Sequence, residues 1–386
     1  MVLSLSVYTG TAVLMALLGW HVNKREQRQL EAGGRELPFA SWEIVTAILI
    51  YVAVSSVRWL TSWDYNMYYC YYMSMQSVGD FSRENFEPGF TLITSLMAKS
   101  GLHYSVFFGF WAALQIVILY YALRHRKWLL PWLALCMMLG PYYIQWMNTI
   151  RQTVLECLLV LMIELIEGRK LWLYLLLALL AATLHKMALL LIPAYFVPLI
   201  PARGVKRWMP IVALLLCAVA GQFPQWIQWL FKSIGNLAEY LGYSHYYRLF
   251  SSNNVTYMFA KWNGPARVMP FVTCLLIAWY YPELKRCAGG DRTLSATYRF
   301  ALIHIAYLNI FANTTLYLRR PGDLFRAAFL VMVCYTLHYL WRERKWLPFA
   351  AMALLNFYYV FYDMVKATIY PSSITFPELY RTFLFQ

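Results

Sequence analysis

The chain has 386 residues, 61% of them hydrophobic and only 13% charged, with a mean hydropathy of +0.49. Repeated apolar runs of spanning length leave no room for a large soluble domain, so the composition implies a polytopic integral membrane protein. The formal charge of +15 sits in short loops between those runs, which argues against a nucleic-acid partner; seven scattered cysteines with no CxxC pair argue against a zinc knuckle or a disulfide framework.

The runs are near-continuous rather than alternating, which predicts an all-α chain and not a barrel. The first span covers about residues 2–20. Its basic residues (Lys24, Arg25, Arg28, Arg35) follow it, so it reads as an uncleaved helix with its N-terminus outside. The second covers 41–56. A stretch rich in tyrosine and acids runs from Arg58 to Pro88, and 89–99 is too short to cross, suiting a re-entrant or surface helix. The third and fourth spans are 104–123 and 129–147.

Next comes a hairpin from Asn148 to Lys186, turned at Gly168-Arg169-Lys170. Arg151 and His185 each lie seventeen residues from Gly168. At ~1.5 Å per residue each leg rises some 25 Å, so the two side chains are expected at one depth, on the face opposite Arg169 and Lys170. Further spans follow at 187–200, 209–223, 268–281, 296–317, 324–340 and 346–362. A loop with Tyr240, Tyr243, Tyr246 and Tyr247 separates the eighth from the ninth. The expected architecture is one integral domain over 1–386, with about twelve transmembrane helices. Both termini, loops 57–103 and 224–265, and a tail 363–386 would lie outside.

Charge is consistent with this topology. Of the 33 Lys and Arg, 19 fall in the expected inside loops. The 14 that remain include Arg58, Arg151, Lys186, Arg319, Arg320 and Arg326, all at span ends. The same face carries Asp64, Glu84, Glu87 and Asp323. Ionisable groups near the membrane are a functional-site signal, although each also has an ordinary use as an interfacial anchor. Arginine forks suit phosphate, and Arg58, Arg151, Arg319 and Arg320 are the candidates. Asp64 or Glu87 could take the proton of a sugar hydroxyl. His185 beside Lys186, and Gln152 beside Arg151, add polar groups. Tyr65, Tyr68, Tyr69, Tyr71 and Tyr72 suit either sugar stacking or an interfacial belt. Glu156, inside a span, needs a buried partner. Asn254-Val255-Thr256 matches a glycosylation sequon. Without a D-x-D, H-E-x-x-H, G-x-S-x-G or Walker motif, the sequence calls for no metal or other cofactor.

In these residues the chain resembles the EpsG family of Wzy-type polysaccharide polymerases. Arg58, Asp64-Tyr65 and Tyr68 follow its early R…D-Y…Y pattern. Glu87-Pro88-Gly89-Phe90 is similar to its E-P-G-F, Ile150-Arg151-Gln152 to its I-R-Q, Ala181…His185-Lys186 to its A-x-x-x-H, and Arg320…Leu324-Phe325 to its late arginine motif. Ser62 and Met187 depart from it, and Arg319-Arg320-Pro321 leaves two arginines for one position.

The resemblance implies a GT-C-like helical enzyme in the bacterial cytoplasmic membrane. It would transfer a glycan from undecaprenyl pyrophosphate to the end sugar of another lipid-linked repeat, at the outer face and without metal. It also implies membrane lipids and a chain-length regulator as partners. Arg151 and Arg320, with Arg58 and His185, would hold the pyrophosphate, and Glu87 or Asp64 would be the base. Tyr65, Tyr68, Gln152, Lys186 and Arg319 would contact substrate. A lipid-linked glycan flippase, a ligase and a membrane O-acyltransferase are the competing readings. A flippase should carry charge at several depths along a cavity, whereas these charges gather near one face.

Overall fold

The computed structural model describes residues 2–62, 64–77, 86–201, 205–223, 264–289, 291–314 and 316–369, with a few isolated positions besides. Glu84, the tyrosine cluster 240–247 and the sequon 254–256 lie outside the described residues.

Among the described residues the regular structure is all helical. In chain order the α-helices are α1 (Val2–Glu31), α2 (Trp42–Ser56), α3 (Tyr65–Ser77), α4 (Pro88–Lys99), α5 (Tyr104–Ala122), α6 (Leu130–Leu139), α7 (Tyr142–Asn148) and α8 (Ile150–Glu167). They continue with α9 (Leu171–Ala182), α10 (Leu191–Ala194), α11 (Trp208–Ala220), α12 (Pro265–Cys287), α13 (Arg292–Ile310), α14 (Leu316–Asp323), α15 (Arg326–Arg342) and α16 (Trp346–Ile369).

α15 is the central helix, with every residue from Arg326 to Leu337 buried. α8 packs against α5, α13 and α15 and is nearly as enclosed. The outer helices turn apolar side chains outward: on α9, Leu176, Leu179 and Leu180 are all exposed, as a hydrocarbon surround permits. One end of the bundle is tied by ion pairs between helices, including Arg25–Glu43, Arg124–Glu164, Arg126–Asp291 and Arg207–Glu283 at 2.7–2.9 Å.

Among the described residues several of the expected spans are not single unbroken helices. Among the described residues, α1 and α5 alone are long and apolar enough to cross a membrane unaided; six other apolar helices are only 10–17 residues long. The expected first span runs on as helix to Glu31, because its basic side chains are good helix formers. The expected fourth breaks into α6 and α7 at Gly140-Pro141. Gly140 turns extended there (φ −87°, ψ −173°), and Pro141 has no N–H to continue the ladder.

The expected seventh span, 187–200, is two 3-10 turns flanking the four residues of α10. Pro193 and Pro198 each disfavour helix in the residue before them. The expected tenth stops at Ile310. The tyrosine-rich stretch, expected as a loop, folds into α3. Its buried Tyr65, Tyr68, Tyr71 and Tyr72 pack against the buried Phe90 of α4 and Phe107 of α5. These breaks put several helix ends close to the cluster described next.

Candidate active site

The sequence Glu87-Pro88-Gly89-Phe90 builds the start of α4. Glu87 is its extended N-cap (φ −64°, ψ 148°), and Pro88 fills the first helical position, where no N–H is needed. Gly89 and Phe90 then donate their backbone N–H groups to the carbonyl of Thr183, at 2.8 and 3.3 Å, just past the end of α9. A Cβ on Gly89 would lie 2.9 Å from that carbonyl oxygen, so glycine is what allows α4 to close on the hairpin. This seats the Glu87 carboxylate against residues 185 and 186.

Glu87 receives donors on both oxygens. The Lys186 backbone N–H reaches Oε1 at 3.0 Å, and Arg151 Nη1 donates to Oε2. Burial by itself would raise this carboxyl, but the Lys186 N–H and the Arg151 charge outweigh it and hold the group below the usual carboxylate range.

His185 lies 3.6 Å from Oε1 through Nδ1. That nitrogen accepts the Met187 backbone N–H at 3.2 Å, so the neutral ring carries its proton on Nε2 and makes no hydrogen bond to Glu87. Burial and the nearby Arg151 guanidinium push His185 down to about 4, so it is neutral at physiological pH. The hairpin thus brings Arg151 and His185 together, as the equal legs predict.

Arg151 stands in the first turn of α8. Its guanidinium carbon lies 4.4 Å from the Phe86 ring centre, 4.9 Å from Phe90 and 5.9 Å from Tyr68. These faces hold the cation by its quadrupole attraction and shield it from water. Its Nε–H is buried and has no hydrogen-bond partner among the described residues.

Asp64 approaches from the other side. Its backbone N–H donates to Asn148 Oδ1 at 2.8 Å, and Asn148 Nδ2 returns a weak bond to Asp64 Oδ2 at 3.4 Å. Burial raises the Asp64 carboxyl, with Arg320 and Arg151 pulling it partly back. Gln152 Nε2 donates to the Arg320 carbonyl at 3.3 Å, which ties α14 to the start of α8. Arg319, on the same short helix, is lowered by burial, with Asp323 opposing. The Lys186 side chain is exposed. Beneath lies the buried partner that Glu156 requires: Trp146 Nε1 donates to it at 3.0 Å, and Arg326 links it to Asp323.

Arg58 and Tyr65 form part of the wall. Arg58 is fully buried. It donates to the carbonyls of Ser55 (3.1 Å), Thr61 (3.2 Å) and Met147 (2.9 Å), and lies 4.5 Å from the Phe108 ring centre. Tyr65 is equally buried and stacks on Phe108 with centroids 4.5 Å apart. The expected phosphate contact at Arg58 is therefore replaced by a scaffold that joins α2 to the end of α7. Asn148, Thr183 and Phe86 are parts that sequence reasoning passed over. The available signals were the position of Asn148 three residues ahead of Arg151 and the phenylalanines on both sides of Glu87.

The arrangement can do two things chemically. Its cations can hold an anionic leaving group, and its two carboxylates can orient or deprotonate a hydroxyl beside it. Among the described residues no three His, Cys, Asp or Glu side chains converge as metal ligands. No curated protein and no solved structure matches the chain. The family model described as EpsG family matches residues 42–375, most of the chain. The chain therefore belongs to the EpsG family, which is associated with Wzy-type polysaccharide polymerases.

Proposed function

We propose that the protein polymerises a polysaccharide by moving a glycan from undecaprenyl pyrophosphate to the terminal sugar of a second lipid-linked repeat. The site faces the periplasm or cell exterior. The chain crosses the bacterial cytoplasmic membrane about twelve times in a GT-C-like arrangement, several crossings being made of broken helix pieces. The observation that carries this reading is the Glu87 carboxylate held between Arg151 and the Lys186 backbone, with His185, Asp64 and Arg320 around it.

In the resting site Arg151 makes Glu87 a weak base. A donor pyrophosphate competes for the guanidinium, which removes one cause of the lowered carboxyl and frees Glu87 to act. The acceptor hydroxyl oxygen then attacks the anomeric carbon while its proton passes to Glu87. The bond from that carbon to the phosphate oxygen breaks, and its electron pair leaves on undecaprenyl pyrophosphate. Arg151 and Arg320 stabilise the departing charge, where such a catalyst gains most. Neutral His185 donates through Nε2–H, and Lys186, Arg319, Gln152 and Tyr68 line the approach. Asp64 is the second candidate base, favoured by its raised carboxyl. Membrane lipids surround the protein, and a chain-length regulator would set how long the product grows.

The test is purified protein in lipid with a synthetic undecaprenyl-pyrophosphate repeat, the products separated on a gel. A ladder of repeats is expected. Absence of a ladder, with the same lipid carried across a vesicle bilayer, would replace this reading by a flippase.

A further inference from the structure

The face opposite the Glu87–Arg151 cluster holds a cavity of about 920 Å³, at the far end of α8. It opens between the ends of α5, α8, α12 and α15 and the start of α13. Its volume is that of a small-molecule site. None of the residues assigned to the reaction above lines it.

Two of its three carboxylates are already matched. Asp291 accepts both Arg126 Nε and Arg126 Nη2 at 2.7 Å, the Thr293 backbone N–H at 3.1 Å and the Thr293 hydroxyl at 2.8 Å, and Tyr335 adds its own hydroxyl. Glu164 takes a two-toothed fork from Arg124, at 3.2 and 2.7 Å. These pairs make a rigid, neutral floor, and Glu167 is the acid that remains.

Two exposed arginines, Arg292 and Arg342, line the same cavity. Arg292 has no ion pair among the described residues, and Arg342 has Glu343 only at 3.7 Å. A third donor is fixed by a tautomer argument. The Trp132 indole N–H can only donate, and it reaches His338 Nδ1 at 3.2 Å. The neutral His338 ring therefore keeps its proton on Nε2. Its orientation is held by Trp128, at 4.4 Å between ring centres.

We propose that this cavity is a second binding site, for an anion bearing a phosphate monoester, held by the Arg292 and Arg342 guanidiniums and by His338 Nε2–H. Paired guanidinium forks match phosphate oxygens in geometry as well as charge. The anion could be a lipid headgroup reaching in from the membrane or a soluble phosphate ester. The site does not depend on the proposed polymerase reaction, and its test reads binding alone.

Full-length protein in detergent is titrated by calorimetry with glycerol 3-phosphate, and separately with dioctanoyl phosphatidic acid, which carries the same monoester on a lipid. Saturable binding of at least one is expected, weakened about tenfold in R292Q/R342Q. K170Q/K206Q removes equal charge from exposed lysines outside the cavity and should change binding by less than about twofold. Each single variant, R292Q or R342Q, is exposed and carries the same comparison at about threefold, should the double variant not fold. Tighter binding of the lipid assigns the headgroup source, and equal binding assigns the soluble ester. No binding of either probe below about 10 mM overturns the proposal. So does equal weakening by the lysine pair, which would reduce the effect to diffuse surface charge.

Discussion

Glu87→Gln separates the charge of Glu87 from its shape. In the native site both carboxylate oxygens accept hydrogen bonds, one from the Lys186 backbone N–H at 3.0 Å and one from Arg151. A glutamine amide has one acceptor oxygen, so in either orientation one donor faces its NH2 group. Leaving that donor unmet in a mostly buried pocket costs about 1–3 kcal/mol, which a thermal melt in detergent will register. The catalytic effect should be larger. Loss of a general base lowers turnover by about 10²–10⁴-fold. Donor affinity should hold or improve, because Arg151 loses its competing carboxylate. Initial rates of polymer growth against donor concentration separate the two terms. Turnover within about threefold of the native enzyme, at equal folded protein, would remove Glu87 as the base and move the role to Asp64. A rise in KM at unchanged kcat would refute the competition argument for Arg151.

Gly89→Ala places a Cβ 2.9 Å from the Thr183 carbonyl, so α4 must back away and take Glu87 with it. Turnover should fall more than about tenfold while stability falls by about 1–3 kcal/mol, read by initial rates and by thermal melting. Arg58→Lys exchanges a fork spread over three backbone carbonyls for one ammonium, and should cost about 2–4 kcal/mol of stability. Polymer yield per folded molecule should stay within about threefold in that variant; a larger drop would return Arg58 to the phosphate site.

Stability should also decline in acid. His185 titrates at about 4 in the folded protein against about 6.5 unfolded, so over that window the unfolded chain binds more protons. The contribution, of order 3 kcal/mol, is complete above pH 6.5 and lost as pH falls toward 4. Glu87, held below its ordinary value, adds the same sign further down, losing its contribution as pH falls through its folded value. Melting midpoints measured from pH 7 to pH 4 should drop, and His185→Gln should flatten the upper part of that slope.

Apolar runs mark nearly every helix, because burial in lipid or protein selects the same side chains. The meeting of Arg151 and His185 was legible for a simpler reason: a helical hairpin with equal legs returns to its starting depth. Position along the chain did not reveal which charges face outward. Arg58 and Arg151 both sit at span ends, yet Arg58 is enclosed by carbonyls that only the fold assembles. The helix breaks were written locally at Gly140-Pro141, Pro193 and Pro198, but hydropathy averaged over a spanning length hides them. α3 was missed because its amphipathic side is made of tyrosine, which a membrane interface would also select.

The most direct measurement of the central account compares single-turnover glycan transfer by the native enzyme, Arg151→Ala and Arg151→Lys, reconstituted in lipid with one lipid-linked repeat as donor and another as acceptor. If Arg151 carries charge developing on the leaving pyrophosphate, alanine should slow transfer by about 10²–10³-fold. Lysine, which keeps the charge and loses the fork, should fall between. Equal rates in all three, with equal amounts of folded protein, would contradict the assignment and make the Arg151–Glu87 pair a purely structural contact.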